Sequence, residues 1–191
     1  MLGDALRGNE KGGVRCHMFN SKLENPIVGR ASAVIQSPPE TVFQYIGVDF
    51  FTNYPKWSPE VVELNQLSDG AMGVGMLARQ VRTDQGRRIE SKFEVTAFEP
   101  HKQLVFSGVP DPFRCTYDLV PVEDGAATEL TFIFEGFELR PHMRPFEKLI
   151  RRVVQDGAVR TTGNLKRLIE FQARRRKRSE TGNRGRQGVA R

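Results

Sequence analysis

The apolar positions change period in a definite order along this chain. An apolar-rich strand beginning at Ile27 runs into Ser37-Pro38-Pro39-Glu40, where Val42, Phe43 and Ile46 recur at three-to-four spacing. The serine can accept from a backbone N–H, the prolines have φ already near the helical value, and the glutamate complements the positive end of the dipole. The pattern therefore predicts a helix from about Pro38, capped by Ser37. An aromatic corner follows, from Phe50 and Phe51 to Tyr54-Pro55-Lys56-Trp57, and the chain turns extended at Val61, Val62 and Leu64. A buried Trp57 would pin this corner to the first strands.

From Glu63 onward, turn residues punctuate short runs at Ser68-Asp69-Gly70, Asp84-Gln85-Gly86, Pro100-His101-Lys102, Pro110-Asp111-Pro112 and Glu123-Asp124-Gly125. Strands are predicted at about 61–67, 75–83, 87–98, 103–109, 113–121 and 128–138, which with the first makes seven. No helix-length crossover separates them, so an antiparallel meander is the economical topology. Alternation places Ile89, Ser91, Phe93, Val95 and Ala97 on an inner face, with Phe113, Cys115, Tyr117 and Leu119 and then Leu130, Phe132 and Phe134. Between 75 and 83 two sets compete, and Met76, Ala78 and Gln80 are taken as inward.

A sheet with one apolar face needs a cover, and the C-terminal segment supplies a helix. At about 100° per residue, Phe146, Ile150, Val153, Gly157, Thr161, Asn164, Leu168 and Phe171 fall in one stripe. The span from Phe146 to Phe171 is roughly 39 Å, enough to cross the sheet diagonally. Both ends of the stripe are large and apolar, whereas Gly157, Thr161 and Asn164 are small or polar. Two readings stay open for Gly157: close approach of helix to sheet against Phe93 or Phe132, or a cavity. A cavity would be walled by Met76, Gln80, Phe93, Cys115, Tyr117, Phe132, Phe134 and Val153 beside Gly157, with Tyr117, Thr161 and Asn164 orienting a ligand.

The strand before Ser37-Pro38-Pro39-Glu40-Thr41-Val42-Phe43, the Trp57-Ser58-Pro59-Glu60-Val61-Val62 stretch, the Val74-Gly75-Met76 strand opening, the Phe98-Glu99-Pro100 strand end with Leu104, and one long C-terminal helix together resemble the START-like, Bet v 1-like (SRPBCC) superfamily, in its polyketide cyclase/dehydrase-like branch. The resemblance covers about Ile27 to Phe171. It departs at His101, where this group often carries a second proline. It implies an α+β helix-grip fold, a seven-stranded antiparallel sheet wrapped around the long C-terminal helix with short helices after the first strand. For many members it also implies shelter of a small hydrophobic ligand of lipid, polyketide or isoprenoid type. The other activity it implies is that of a cyclase or dehydratase, for which only Tyr117, Gln80, Thr161 and Asn164 offer polar groups here.

Composition adds boundaries. The net charge of +6 resides in residues 172–191, which carry eight Lys or Arg and one acid, Glu180, so the remainder is near neutral at −1. Residues 174–191 are expected to be a solvated, disordered basic tail. Contact of that tail with nucleic acid or an anionic membrane is the lesser reading, because a nucleic-acid-binding domain carries its charge on a folded face. Residues 1–25 read as a disordered leader, with Met18 an alternative start, leaving one globular domain over 26–173. No apolar run reaches the roughly 18 residues of a membrane span, so a cytoplasmic protein is expected. Cys16 and Cys115 lie in unlike segments and are expected to be reduced. His17, His101 and His142 fall in the leader, a turn and a pre-helix segment, with no spacing that signals a metal, and no cofactor is expected.

Overall fold

The computed structural model describes residues 22–187 apart from 85 and 140. The leader's first 21 residues, with Cys16, His17 and Met18, lie outside the described residues, as do the last four of the tail. Strand β1 (Lys22–Ile35) leads into α1 (Pro39–Phe43), a π-helical turn (Gln44–Val48) and α2 (Phe50–Trp57). Then come β2 (Val61–Gln66), β3 (Leu77–Asp84), β4 (Arg87–Glu99), β5 (Gln103–Gly108), β6 (Phe113–Val122) and β7 (Ala127–Glu138). A 3₁₀ turn (Pro141–Phe146) precedes α3 (Glu147–Gln187). The sheet order is β1-β7-β6-β5-β4-β3-β2, antiparallel throughout. This is the expected meander, with β1 added beside β7.

Most of the inner face follows the alternation. Met76, Ala78, Gln80, Phe93, Val95, Cys115, Tyr117, Leu119, Leu130 and Phe132 are buried, and Phe113 and Phe134 pack at the margin. Two positions in β4 differ. A register shift between Val95 and Ala97 lets Phe98 turn toward the core, where its ring meets Phe43 at 4.9 Å, so Ala97 is not the inward residue. Ile89 is half exposed, because β4 extends past the layer that covers it. On the outer face, Arg79, Arg88, Glu63 and Glu90 form cross-strand ion pairs of the modest, solvent-screened kind.

Ser37 is not the cap of α1. Pro38 occupies that position and its carbonyl accepts from Thr41 and Val42, while the Ser37 hydroxyl donates to the Gln36 carbonyl. One residue too early, the serine cannot reach the helix N–H groups.

The largest departure concerns α3. It lies along β1, at the sheet's edge, instead of crossing the sheet diagonally. A Cβ on Gly29 of β1 would sit 2.5 Å from the Val154 carbonyl oxygen, so the close approach of helix to strand occurs there. Side chains of α3 also satisfy the open edge of β1. The Gln155 amide accepts from Arg30 N–H and donates to the Arg30 carbonyl, Arg151 and Lys166 donate to the carbonyls of Pro26 and Val34, and Glu170 accepts from Gln36 N–H. An edge strand covered in this way is no longer a template for pairing with another chain.

This placement turns the helix. Its buried residues are Ala158, Thr162, Leu165 and Ile169, one position beyond the expected stripe and hence about 100° around the axis. Phe146, Val153 and Phe171 are exposed, and Leu168 packs at the core's margin. The helix also continues to Gln187, past the boundary expected at 173, through a run of Arg, Lys and Glu that favours helix.

Candidate functional site

A polar group buried in the inner face requires a partner, and the Gln80 carbonyl oxygen lacks one among the described residues. The concave side is first filled by aromatic rings. Phe50, Tyr54 and Trp57 of α2, at helical spacing, drop onto the sheet, with ring centroids of 6.0 Å for Phe50–Phe93, 5.8 Å for Phe50–Phe106 and 6.3 Å for Trp57–Tyr117, and Tyr117 in turn packs on Phe132 at 4.8 Å. Among the described residues these rings occupy the space between Phe93, Tyr117 and Phe132 where a cavity was expected. The sequence reading placed α2 at a corner, whereas it lies over the sheet and fills that space.

Two hollows among the described residues lie elsewhere. One of about 20 Å³, room for a single water, is lined by Thr41, Gln44, Tyr45, Asp49, Ile169, Gln172, Ala173 and Arg176. The Tyr45 hydroxyl is buried without a partner among the described residues. A shallow groove on the outer side of α3 is lined by Gly163, Lys166, Arg167, Glu170, Phe171 and Arg174.

Beyond α2 the inner face is less covered, and Ile89 is half exposed. The strand registers bring the end of β3, the starts of β4 and β6, and the end of β7 to one end of the sheet, the end at which α3 begins. Along α3, Asn164 donates to the Trp57 carbonyl at 3.0 Å and Arg160 pairs with Glu60, fastening the helix to the α2 corner. Toward the helix start, Gly157 has nothing within 4 Å of where its Cβ would stand, and Val153 is 60% exposed. Gly157 therefore does not mark a close helix–sheet contact.

The polar set sits at this end. Gln80 is buried and donates to the Ser91 hydroxyl at 3.1 Å, but its carbonyl oxygen has no partner among the described residues. Arg82, two residues on and on the same face, is mostly enclosed and makes no ion pair or hydrogen bond among the described residues. Around it stand Tyr54, Cys115, Glu60 and Tyr117. Burial alone would pull its pKa down, but these four neighbours outweigh that and hold it above the ordinary arginine value. Desolvation pushes Tyr54 and Cys115 each up to about 12, and Tyr117 well above its ordinary value. The phenols and thiol are thus neutral donors near pH 7. Glu60 is the one carboxylate facing Arg82 in this set, and it is already bonded to Arg160 and Ser58.

Of the sequence-predicted site residues, Cys115 and Tyr117 stand near Arg82, and Gln80 lies two residues from it on the same face of β3. Met76, Phe93 and Phe132 are sealed core, Phe134 stacks with Phe113 at the margin, and Val153, Gly157 and Thr161 lie on the helix flank bordering the opening. Asn164 is used to hold α2. Arg82, Glu60 and Tyr54 were missed. The alternation that placed Met76, Ala78 and Gln80 inward reaches Arg82 when extended by one step, and only its charge argued for the wet face. No cluster of three or more His, Cys, Asp or Glu among the described residues could hold a metal.

The fold recurs in solved structures. TTHA0849 from Thermus thermophilus aligns with TM-score 0.59 at 18% identity, covering 74% of this chain and 96% of that one. The Polyketide_cyc-like protein Cgl2372 from Corynebacterium glutamicum gives 0.57 at 20%, covering 79% and 96%. The Zhui aromatase/cyclase from Streptomyces sp. R1128 gives 0.65 at 11%, covering 78% and 96%. At these identities the likeness is one of fold. No curated protein matches the sequence. No described helix is long and apolar enough to cross a membrane. A family model described as polyketide cyclase / dehydrase and lipid transport matches residues 27–170, and that family's description supports a ligand-binding or cyclase role. The chain belongs to this family.

Proposed function

We propose that the protein binds a small, mainly apolar molecule in the open end of the grip, and that the molecule presents an anionic or strongly polarised oxygen to Arg82. The observation that carries this reading is the enclosed guanidinium that pairs with no carboxylate among the described residues, next to a Gln80 carbonyl without a donor among them. A buried charge costs several kcal/mol unless compensated, so a site that keeps one is organised for a counter-charge that arrives from outside. The apolar part of the ligand would lie against Val153, Gly157, Phe113 and Phe134, and a ligand hydroxyl would donate to Gln80.

Binding is favoured over turnover by the titration of the same groups. A general base for cyclisation or dehydration works best with a pKa near the operating pH. Tyr54, Cys115 and Tyr117 are all pushed upward, away from it, and Glu60 is committed to Arg160. Positioning by Arg82 and the phenols remains, which suits a carrier or sequestering protein.

Native mass spectrometry of the protein isolated from its own host tests the reading. The wild type is expected to carry a co-purified small molecule that an equally well-folded Arg82→Gln variant lacks. An empty wild type, or equal occupancy in both, would overturn it.

A further inference from the structure

The start of α3 carries an apolar face that nothing among the described residues covers. Phe146, Leu149 and Val153 are 56%, 59% and 60% exposed, and Met143 in the preceding 3₁₀ turn is 37% exposed. At about 100° per residue Phe146, Leu149 and Val153 fall within about 60° of one another, away from the buried Ala158, Thr162, Leu165 and Ile169. Arg144, Lys148 and Arg152 flank them. All three are exposed, and none makes an ion pair among the described residues. Of the nearby acids, Glu147 is paired with Arg151, leaving Asp156 on the helix and Asp111 in the β5–β6 loop.

We infer that this face docks the protein on an anionic lipid bilayer. A short amphipathic segment with bulky apolar residues on one side and unpaired cations beside them is the pattern that lies in a membrane interface, apolar side chains inserted and cations against the headgroups. The charge selects the occupant. A second copy of the same face would set Arg144, Lys148 and Arg152 against their own kind, whereas an anionic surface attracts each of them by a factor of about five. Docking there brings the open end of the grip to the bilayer. The inference rests on the exposed face and its charges; Val153 also borders the proposed ligand surface, so the Lys148→Glu, Arg152→Glu variant is the one that separates the two.

Vesicle flotation of the full chain tests it, using phosphatidylcholine vesicles with and without phosphatidylglycerol. The wild type is expected to float with the anionic vesicles and to stay behind with the neutral ones. Two variants at exposed positions, Leu149→Glu with Val153→Glu, and Lys148→Glu with Arg152→Glu, should each weaken that binding by roughly tenfold or more. Both keep the basic C-terminal segment and should melt as the wild type does. No flotation of the wild type would overturn the inference. Undiminished flotation of both variants would assign lipid contact to the C-terminal segment and also overturn it. A dimer in sedimentation velocity that the Leu149→Glu, Val153→Glu variant splits, without lipid binding by the wild type, would give the face to a second copy instead.

Discussion

Two glycines test where α3 meets the sheet, with effects of opposite sign. A methyl group on Gly29 would stand 2.5 Å from the Val154 carbonyl oxygen and 2.8 Å from its carbon, both backbone atoms that cannot rotate aside. Gly29→Ala must therefore push α3 off β1. Overpacking of this kind costs about 1–3 kcal/mol. Displacing the two Gln155 bonds to Arg30 adds roughly 1 kcal/mol for each that is lost. Gly157 has nothing within 4 Å of its missing Cβ and sits inside the helix, so Gly157→Ala removes the helix penalty of glycine and should stabilise by about 1 kcal/mol. For a chain of this size, each kcal/mol moves the melting midpoint by about 2–4 °C. Thermal unfolding followed by circular dichroism reads both. A neutral Gly29→Ala, or a destabilising Gly157→Ala, would mean that the helix docks through Gly157 and that the edge packing described above is wrong.

Other consequences follow from the same structure. Trp57→Ala should cost about 3–5 kcal/mol in urea unfolding, since the indole is 1% exposed, packs on Tyr45, Phe50, Tyr54 and Tyr117, and donates to the Tyr117 hydroxyl at 3.4 Å; a loss below about 1 kcal/mol would contradict its place in the core. Gly157→Leu should keep or raise the melting point yet reduce uptake of an apolar fluorescent probe by narrowing the open end of the grip; unchanged uptake would remove Gly157 from the binding surface. Alkaline pH should destabilise in a defined window. Cys115 and Tyr54 move from 9.0 and 10.0 to about 12, so the folded state holds protons that the unfolded chain releases first. Stability is then fully present below about pH 9 and falls as pH rises toward 12, and Tyr54→Phe should flatten the part above pH 10; an unaltered profile would refute the burial of that phenol.

The strands were legible because a sheet with one wet face leaves period-two alternation, and the turn residues mark its ends. Hence β5, β6 and β7 fall within a residue or two of their predicted limits. The face of α3 was not. Apolar size drew the stripe through Phe146, Val153 and Phe171, whereas edge packing on β1 selects the smaller Ala158 and Thr162, and partners for β1 come from Gln155, Lys166 and Glu170, which a hydrophobicity pattern treats as solvent-facing. The site was legible in half. Gln80, Cys115 and Tyr117 follow from alternation, but Arg82 was hidden by its charge and Glu60 by its place in a corner. The space that Phe50, Tyr54 and Trp57 occupy depends on how α2 is docked, which spacing along the chain does not encode.

The most direct measurement is a matched titration at the Arg82 site. An apolar naphthalene probe bearing a sulfonate and its uncharged analogue would be titrated into the wild type and into Arg82→Gln at equal melting temperature. The wild type is expected to prefer the sulfonate by roughly tenfold, the scale of one charge-assisted hydrogen bond to an enclosed guanidinium, and the variant should lose that preference while still binding the uncharged analogue. The same preference in both proteins, or none in the wild type, would contradict the account.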